Sequence, residues 1–307
     1  GRYLPEYREL RSRYTFQDAI RNPKVASKIT LQPIRRFGFD GAIMFADIMT
    51  PLEAMGVDVT FDPGPKLQPM SLAEVADLPD LDLDRVRHVA ETLRLVRKDV
   101  PDDVTVIGFA GAPTTLLAYL LEGSGSKEYL ALRMAMQEGT PELEAALAKL
   151  ATNMHGYLAM QIEAGAQAVQ LFDSWAGILP RDLLESRAFV AAGDVLSGLG
   201  APTIYFAPGA GHAHGSMRHV GASGYGVDWR LPIDEAWDRI GPDVAIQGNL
   251  DPAILLTDPD RIHRAVSALL EQTAGRPGHI VNLGHGIDRH TPLENVTALV
   301  NAVREAR

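Results

Sequence analysis

Short runs of consecutive apolar residues recur along this chain, each followed by a longer stretch whose apolar positions fall three and four apart. The runs are Gly41–Asp47 (GAIMFAD), Val104–Ala110 (VTVIGFA), Ala168–Phe172 (AVQLF), Thr203–Ala207 (TIYFA), Gly224–Asp228 (GYGVD), Val244–Gly248 (VAIQG) and His279–Gly284 (HIVNLG). Continuous rather than alternating apolar character is what a strand buried on both faces of a parallel sheet requires. The stretches Leu83–Val96, Pro141–Ala164, Pro180–Leu196, 232–240, 258–274 and 292–306 read as helices, with Pro180 at a helix start. Strands alternating with helices through the whole chain predict an α/β fold.

Seven strand units are countable, and a closed (β/α)8 TIM barrel needs eight. The first unit begins near residue 41, after a basic segment that already reads as partly helical. The expectation is therefore a single barrel domain over residues 1–307 whose first strand lies upstream of residue 1. An open doubly wound sheet is the alternative, but no GxGxxG opens a helix after a first strand.

Composition narrows the chemistry. The chain has 307 residues, 46% apolar and 22% charged, the profile of a folded domain with a core that needs no disulfides. Cysteine is absent, which excludes thiolate nucleophiles, iron–sulfur clusters and cysteine-ligated zinc. No apolar run approaches the roughly 20 residues of a membrane span, and the N-terminus GRYLPEYRELR has no signal-peptide core. A cytoplasmic enzyme is the expectation.

The net charge of −10, from 29 basic and 39 acidic side chains, argues against general binding of nucleic acid or adhesion to anionic membranes. The charge is uneven. Residues 1–36 hold nine basic side chains against Glu6, Glu9 and Asp18, giving +6 there and −16 over the remainder. That segment is either a solvated basic arm or a local receptor for a polyanion.

In barrels of this kind the chemistry sits where strands end at the C-terminal face. Polar residues stand there: Asp47 ends GAIMFAD, Asp173 and Ser174 follow AVQLF, and Asn282 and His285 close HIVNLGH. The loop GAPTT leads into a helix carrying Tyr119. Each has a plainer explanation. Asp47 and Ser174 could cap a helix or satisfy a strand end, Tyr119 could be a core-edge aromatic, and Gly108 and Gly111 could simply permit a tight turn. His285, between Gly284 and Gly286, has no local apolar cover and favours function over packing. His212 and His214 form an HxH pair at another strand end, but two imidazoles do not make a metal site, and no metal is expected. No nucleophile elbow or HExxH is present. The residues alone reach a barrel enzyme with an acid, a Tyr, a Ser, a His and several arginines at its mouth, and do not name the reaction.

Taken together, several blocks resemble the uroporphyrinogen decarboxylase family of haem and tetrapyrrole biosynthesis. They are GRYLPEYRELR at 1–11, TLQPIRRFGFDGAIMFADIMTPLEAMG at 30–56, GFAGAPTTLLAYLLEG at 108–123, AGAQAVQLFDSWAG at 164–177, QGNLDP at 247–252 and NLGHGI at 282–287. The resemblance runs from end to end. It implies a (β/α)8 barrel, a homodimer, and a reaction that uses neither metal nor organic cofactor. That reaction removes the carboxyl groups of the four acetate side chains of uroporphyrinogen III, giving coproporphyrinogen III and four CO2. By the resemblance, Asp47 matches the aspartate that faces the pyrrole N–H groups and carries the catalysis. Tyr119, Ser174 and His285 match polar substrate contacts, Phe172 a hydrophobic wall, Arg2 the second arginine of the N-terminal signature, and Arg11 a further substrate arginine. The signature's first arginine falls four positions before Arg2, upstream of Gly1, where the strand count also places strand one.

Two other functions fit the pattern less well. A zinc-dependent methyltransferase of the wider superfamily would bind its metal through cysteine, which this chain lacks. A non-catalytic tetrapyrrole-binding protein would bind substrate without forming product.

Overall fold

The structure is a computed structural model that describes residues 1–61 and 64–306. It opens with three helices, α1 (Pro5–Arg13), α2 (Phe16–Arg21) and α3 (Pro23–Phe37). The Asn22 side chain accepts hydrogen bonds from the backbone N–H groups of Lys24 and Val25, and Pro23 occupies the first turn, so α3 starts with both of its usual signals. Gly38, at φ 68°, ends α3 in the left-handed conformation that favours glycine.

The strands follow in chain order as β1 (Gly41–Ile43), β2 (Thr60–Phe61), β3 (Pro65–Lys66), β4 (Thr105–Gly111), β5 (Ala168–Phe172), β6 (Thr203–Phe206), β7 (Gly224–Gly226), β8 (Ala245–Leu250) and β9 (His279–Leu283). β2 and β3 form a small antiparallel ribbon of their own, which the apolar pattern does not predict. The other seven make one parallel sheet in the order β1-β4-β5-β6-β7-β8-β9. These are the seven apolar runs, and they are joined through helices as the parallel geometry demands.

Two side chains show that the sheet is curled. Gln170 on β5 and Gln247 on β8 are three strands apart, which would be about 14 Å in a flat sheet. Yet Gln247 Nε2 donates to Gln170 Oε1 at 3.2 Å, and Asn282 Nδ2 on β9 donates to Gln247 Oε1 at 3.2 Å. The sheet therefore wraps around its own interior in the manner of a TIM barrel. Central strands are buried on both faces, as β4 and β5 show. Among the described residues β1 and β9 each have one strand neighbour, and their apolar side chains Ile43 and Ile280 are 42% and 44% exposed.

Helices close the ring where strands do not. Arg304, on the last helix (Leu293–Glu305), donates to the carbonyls of Phe37 at 3.2 Å and Gly38 at 2.9 Å, just before β1. A second apolar cluster sets Tyr3, Leu4, Tyr7, Ile29 and Phe37 against Leu255, Ile262 and Val296. The basic segment is thus not a solvated arm. It is helical and its apolar face is buried against the C-terminal helices.

The expected helix 180–196 is one rod with a widened central turn: Arg181–Leu183, a π-type turn Leu184–Ala188, then Phe189–Leu196. The expected helix at 83–96 begins four residues later, at Arg87. No helix among the described residues is long and apolar enough to cross a membrane.

The long helix Pro141–Glu163 is keyed to β4 by one side chain. Gln161, fully buried, accepts from the Phe109 N–H and donates to the Phe109 carbonyl, each at 2.9 Å. A Cβ on Gly108 would lie 2.5 Å from Gln161 Oε1, so the approach requires glycine there. Gln161→Leu keeps the bulk and strands both peptide groups. It should destabilise the protein by about 2–4 kcal/mol, read as a lowered urea midpoint with unchanged slope.

Candidate active site

The C-terminal ends of β1, β4, β5, β7 and β9 carry the residues of interest. Asp47 lies four residues beyond β1, in the turn that enters the short helix Thr50–Ala54. Its Oδ1 accepts a hydrogen bond from Met49 N–H at 2.9 Å, an Asx-type turn that realises the capping role available to it. Burial raises the Asp47 carboxyl above its ordinary value; the Met49 hydrogen bond opposes the rise and the negative charge of Glu53 adds to it. A desolvated carboxylate with one strong donor retains capacity for more N–H partners.

Tyr119 projects from the helix Pro113–Glu122, which starts at the end of β4. Burial raises its phenol, and the charge of Asp47 raises it further, which places the two groups within electrostatic reach. The indole N–H of Trp175 and the hydroxyl of Tyr129 approach the Tyr119 hydroxyl and have no partner elsewhere among the described residues. The Trp175 ring lies 6.2 Å from Tyr119 and 4.7 Å from Tyr129, centroid to centroid. The buried Tyr157 hydroxyl, also unpartnered among the described residues, feels the Asp47 charge as well.

Phe172 ends β5 and meets Phe109 of β4 and Phe206 of β6 edge to face, at 5.7 and 6.2 Å. Three adjacent strands thus contribute to one aromatic cluster, with Phe172 and Phe206 at the ends of β5 and β6 and Phe109 two residues before the end of β4. Ser174 is half-buried two residues beyond Phe172, and no hydrogen bond ties down its side chain among the described residues.

Between them stands a residue that the motifs leave aside. Asp173 is fully buried and accepts from Thr115 Oγ1 and from the Tyr205 hydroxyl, both at 2.8 Å. Trp175 N–H in turn donates to Thr115 Oγ1 at 3.2 Å. The helix bearing Tyr119 has no cap from its own N-terminal residue, and Asp173 supplies one from across the chain. A carboxylate at a helix N-terminus is favoured by the exposed N–H groups there. Burial nevertheless pushes the Asp173 carboxyl up to about 6, against the hydrogen bonds from Thr115 and Tyr205.

His285 is exposed two residues beyond β9, but its ring is not bare: it meets the Trp229 ring edge to face at 6.3 Å. A Cβ on Gly284 would sit 2.6 Å from Trp229 N, so the two loops touch only because that position is glycine. Arg2 is exposed, and its carbonyl accepts from Arg8 Nε at 3.3 Å. Arg8 also donates to the carbonyl of Arg289 at 2.8 Å, which ties the N-terminal segment to the His285 loop. Arg11 donates to the Tyr14 carbonyl and stacks over Phe16 at 5.7 Å. Phe16 packs on Phe45, two residues before Asp47. Asp47 and Tyr119 are within electrostatic reach of one another, and Phe172 and Ser174 stand at the end of β5, two strands along the sheet from β1. No hydrogen bond, ion pair or ring contact among the described residues joins Arg2 or His285 to any of these.

The HxH loop is not a pair of exposed imidazoles. His212 is exposed and its Nε2 is engaged with the Leu179 carbonyl at 2.9 Å. His214 is buried, and burial lowers its ring to about 4. No cluster of three metal-ligating side chains occurs among the described residues.

Comparison with known proteins follows the same outline. Residues 1–306 match the family model for uroporphyrinogen decarboxylase. The chain is 43% identical over 312 residues to a uroporphyrinogen decarboxylase of Syntrophotalea carbinolica, covering 99% of this chain and 90% of that one. It is 42% identical to the protein of that name from Chloroflexus aggregans, covering 99% and 88%. Among solved structures, a methyltransferase from Methanosarcina mazei superposes with TM-score 0.82 at 22% identity, covering 97% and 90%. A B12-independent methionine synthase from Shewanella sp. W3-18-1 gives 0.60 at 11% identity, covering 92% and 88%. At those identities the two structures speak for the fold alone.

The Asp173 geometry makes a prediction about stability. Its carboxyl is raised from 3.8 to about 6 on folding. Between those values the folded state holds a proton that the unfolded state has lost, so stability falls as pH rises through the window. The loss should approach about 3 kcal/mol near neutrality. Asp173→Asn should remove that slope, so urea denaturation from pH 4 to 7 should show wild type losing stability relative to the variant. Parallel curves would mean that Asp173 titrates as an ordinary carboxyl.

Proposed function

This chain belongs to the uroporphyrinogen decarboxylase family, and from that membership we propose that Asp47 is the residue on which its decarboxylation turns. The reaction converts the four acetate side chains of uroporphyrinogen III to methyl groups and releases four CO2, leaving coproporphyrinogen III. Each acetate is an unactivated carboxylate, and loss of CO2 leaves an electron pair with nowhere to go. Protonating the pyrrole supplies the sink. The bond between methylene and carboxylate breaks, its electrons enter the cationic ring system as CO2 departs, and a proton then completes the methyl group. The ring releases the proton it first took up, so that each turn consumes one proton.

The observation that carries the assignment is the state of Asp47: desolvated, beyond the end of β1, held by Met49 N–H and within electrostatic reach of Tyr119. A carboxylate held this way stabilises positive charge on a pyrrole far better than one in water, because no solvent must reorganise. It also accepts the pyrrole N–H groups in its remaining directions. Tyr119 and Ser174 offer hydroxyls to the substrate's side-chain carboxylates, and Phe172 supplies an apolar wall for the macrocycle. Arg2, Arg11 and His285 meet carboxylates at the rim, where the +6 charge of residues 1–36 concentrates. The same reading makes the protein one barrel domain, active in the cytoplasm as a homodimer, with the substrate's own ring as electron sink in place of a cofactor. The superfamily's zinc chemistry lacks support in these residues. There is no cysteine, His212 is engaged with Leu179 and His214 is buried.

Asp47→Asn should fold normally and lose about 10²–10³ in kcat, on the order of 3–4 kcal/mol of barrier. An anaerobic assay that resolves products by carboxylate count checks this, and a near-normal turnover number removes Asp47 from the mechanism. In the wild type, activity requires the ionised form. The acid limb of kcat/KM should therefore lie above the ordinary carboxylate range, in the direction that burial shifts Asp47.

A further inference from the structure

Beyond the residues that the motifs mark, one cation at the mouth is built for a ligand. The loop after β7, residues 228–231, is held from three sides. Asn249 Nδ2 donates to the carbonyls of Asp228 at 2.9 Å and Leu231 at 2.7 Å. The Asp228 carboxylate accepts from Gly209 N–H at 2.5 Å and from Arg230 N–H at 2.9 Å. Arg230 Nη1 completes the set, donating to Asp228 Oδ2 at 2.8 Å. The guanidinium lies over the Trp229 ring at 4.6 Å, and His285 meets the same indole at 6.3 Å. The Arg230 side chain is 56% exposed, whereas that of Asp228 is 8% exposed.

An arginine that only neutralised Asp228 would need one edge of its fork. Here one N–H of the side chain is used, and the other donors of the five have no hydrogen-bond partner among the described residues on a side chain that is 56% exposed. The stacked indole and the buried carboxylate fix the plane of the guanidinium before any ligand arrives, which lowers the entropy cost of binding. The basic N-terminal segment reaches the same loop: Arg8 donates to the backbone carbonyls of Arg2 and Arg289, and His285, four residues before Arg289, meets Trp229.

We propose that Arg230 is a substrate-binding residue, which receives a side-chain carboxylate of the tetrapyrrole by a charge-assisted hydrogen bond and, with His285, extends the basic rim across the end of β7. The assignment rests on the tetrapyrrole substrate proposed above. It makes Arg230 a determinant of affinity for a polycarboxylate rather than a participant in bond breaking.

The test uses the whole chain and uroporphyrin III, the oxidised, air-stable octacarboxylate analogue of the substrate. Wild type, Arg230→Gln and Arg230→Lys are titrated by fluorescence at low and high salt, and their turnover is measured with uroporphyrinogen III. Arg230→Gln keeps a donor to Asp228 while removing the charge, and thermal melting confirms that it is folded. Loss of the charged contact should weaken binding about 5- to 30-fold and raise KM correspondingly, with a much smaller change in kcat. Arg230→Lys should recover part of the affinity, and the gap between wild type and Arg230→Gln should narrow in high salt. Equal affinities, or a loss that neither Lys nor salt alters, would overturn the proposal and leave Arg230 as a partner of Asp228 only. If wild type binds uroporphyrin in an Arg230-dependent way but forms no product, the decarboxylase reading fails and the anchor stands. If wild type neither binds uroporphyrin nor forms product from uroporphyrinogen III, both fall. If it forms product without binding uroporphyrin, an unchanged KM in Arg230→Gln overturns the proposal alone.

Discussion

A carboxylate removed from water must be compensated, and this barrel mouth is organised around three that are. Asp47, Asp173 and Asp228 follow β1, β5 and β7, each at the end where the strands converge. Each is compensated differently. Asp173 receives two hydroxyls and is so fully enclosed that its proton is retained up to about 6. Asp228 receives two backbone N–H groups and a guanidinium. Asp47 receives one backbone N–H and is left with unmet acceptor capacity beside Tyr119. The first two pairings fix structure, one anchoring the helix that bears Tyr119 and the other the loop that bears Trp229. The third leaves a desolvated anion with acceptor capacity to spare, which under the proposed function is what a substrate with N–H donors and a developing cation requires.

That difference depends on the curl of the sheet. In a flat sheet the ends of β1 and β9 would be the full width of seven strands apart. The Gln170–Gln247–Asn282 chain across the interior brings the strand ends into one ring. The helices then complete the ring, with Arg304 clasping Phe37 and Gly38 beside the exposed Ile43 and Ile280. The N-terminal helices occupy this sector, with their apolar faces buried against the last two helices.

Much of this was legible from residue pattern. The seven apolar runs are the seven parallel strands, and burial on both faces explains the continuous signal of the central ones, while the edge strands β1 and β9 are partly exposed. The β2–β3 ribbon left none, since strands of two residues carry no period. Local sequence also placed Asp47 shortly after a strand and Tyr119 on the helix that follows β4, as helix entry and strand exit are local properties. What it did not convey was pairing at long separation. Asp173 with Thr115 and Tyr205, and Asp228 with Gly209 and Asn249, are contacts between residues 19 to 58 apart in sequence. Arg230 was therefore indistinguishable from an ordinary surface arginine. His214, grouped by its HxH spacing with an exposed neighbour, was hidden by packing that no spacing encodes.

An acidic protein that holds a polyanion presents no contradiction once distance is considered. Charges separated by more than a Debye length, about 10 Å at 0.1 M salt, scarcely act on one another in solvent. The net charge of −10 therefore governs solubility and encounter, while binding is set by the few cations within reach of each carboxylate. Several of the acids nearest those cations are already spent on them: Glu6 accepts from Arg36, Glu9 from Arg13 and Asp228 from Arg230. A guanidinium has donors to spare after one such pairing, and a carboxylate so engaged is a weaker competitor for a ligand's position. Pairing Arg230 with Asp228 through one N–H thus leaves further donors on a side chain that is 56% exposed. An acidic chain can in this way present a preorganised cationic mouth.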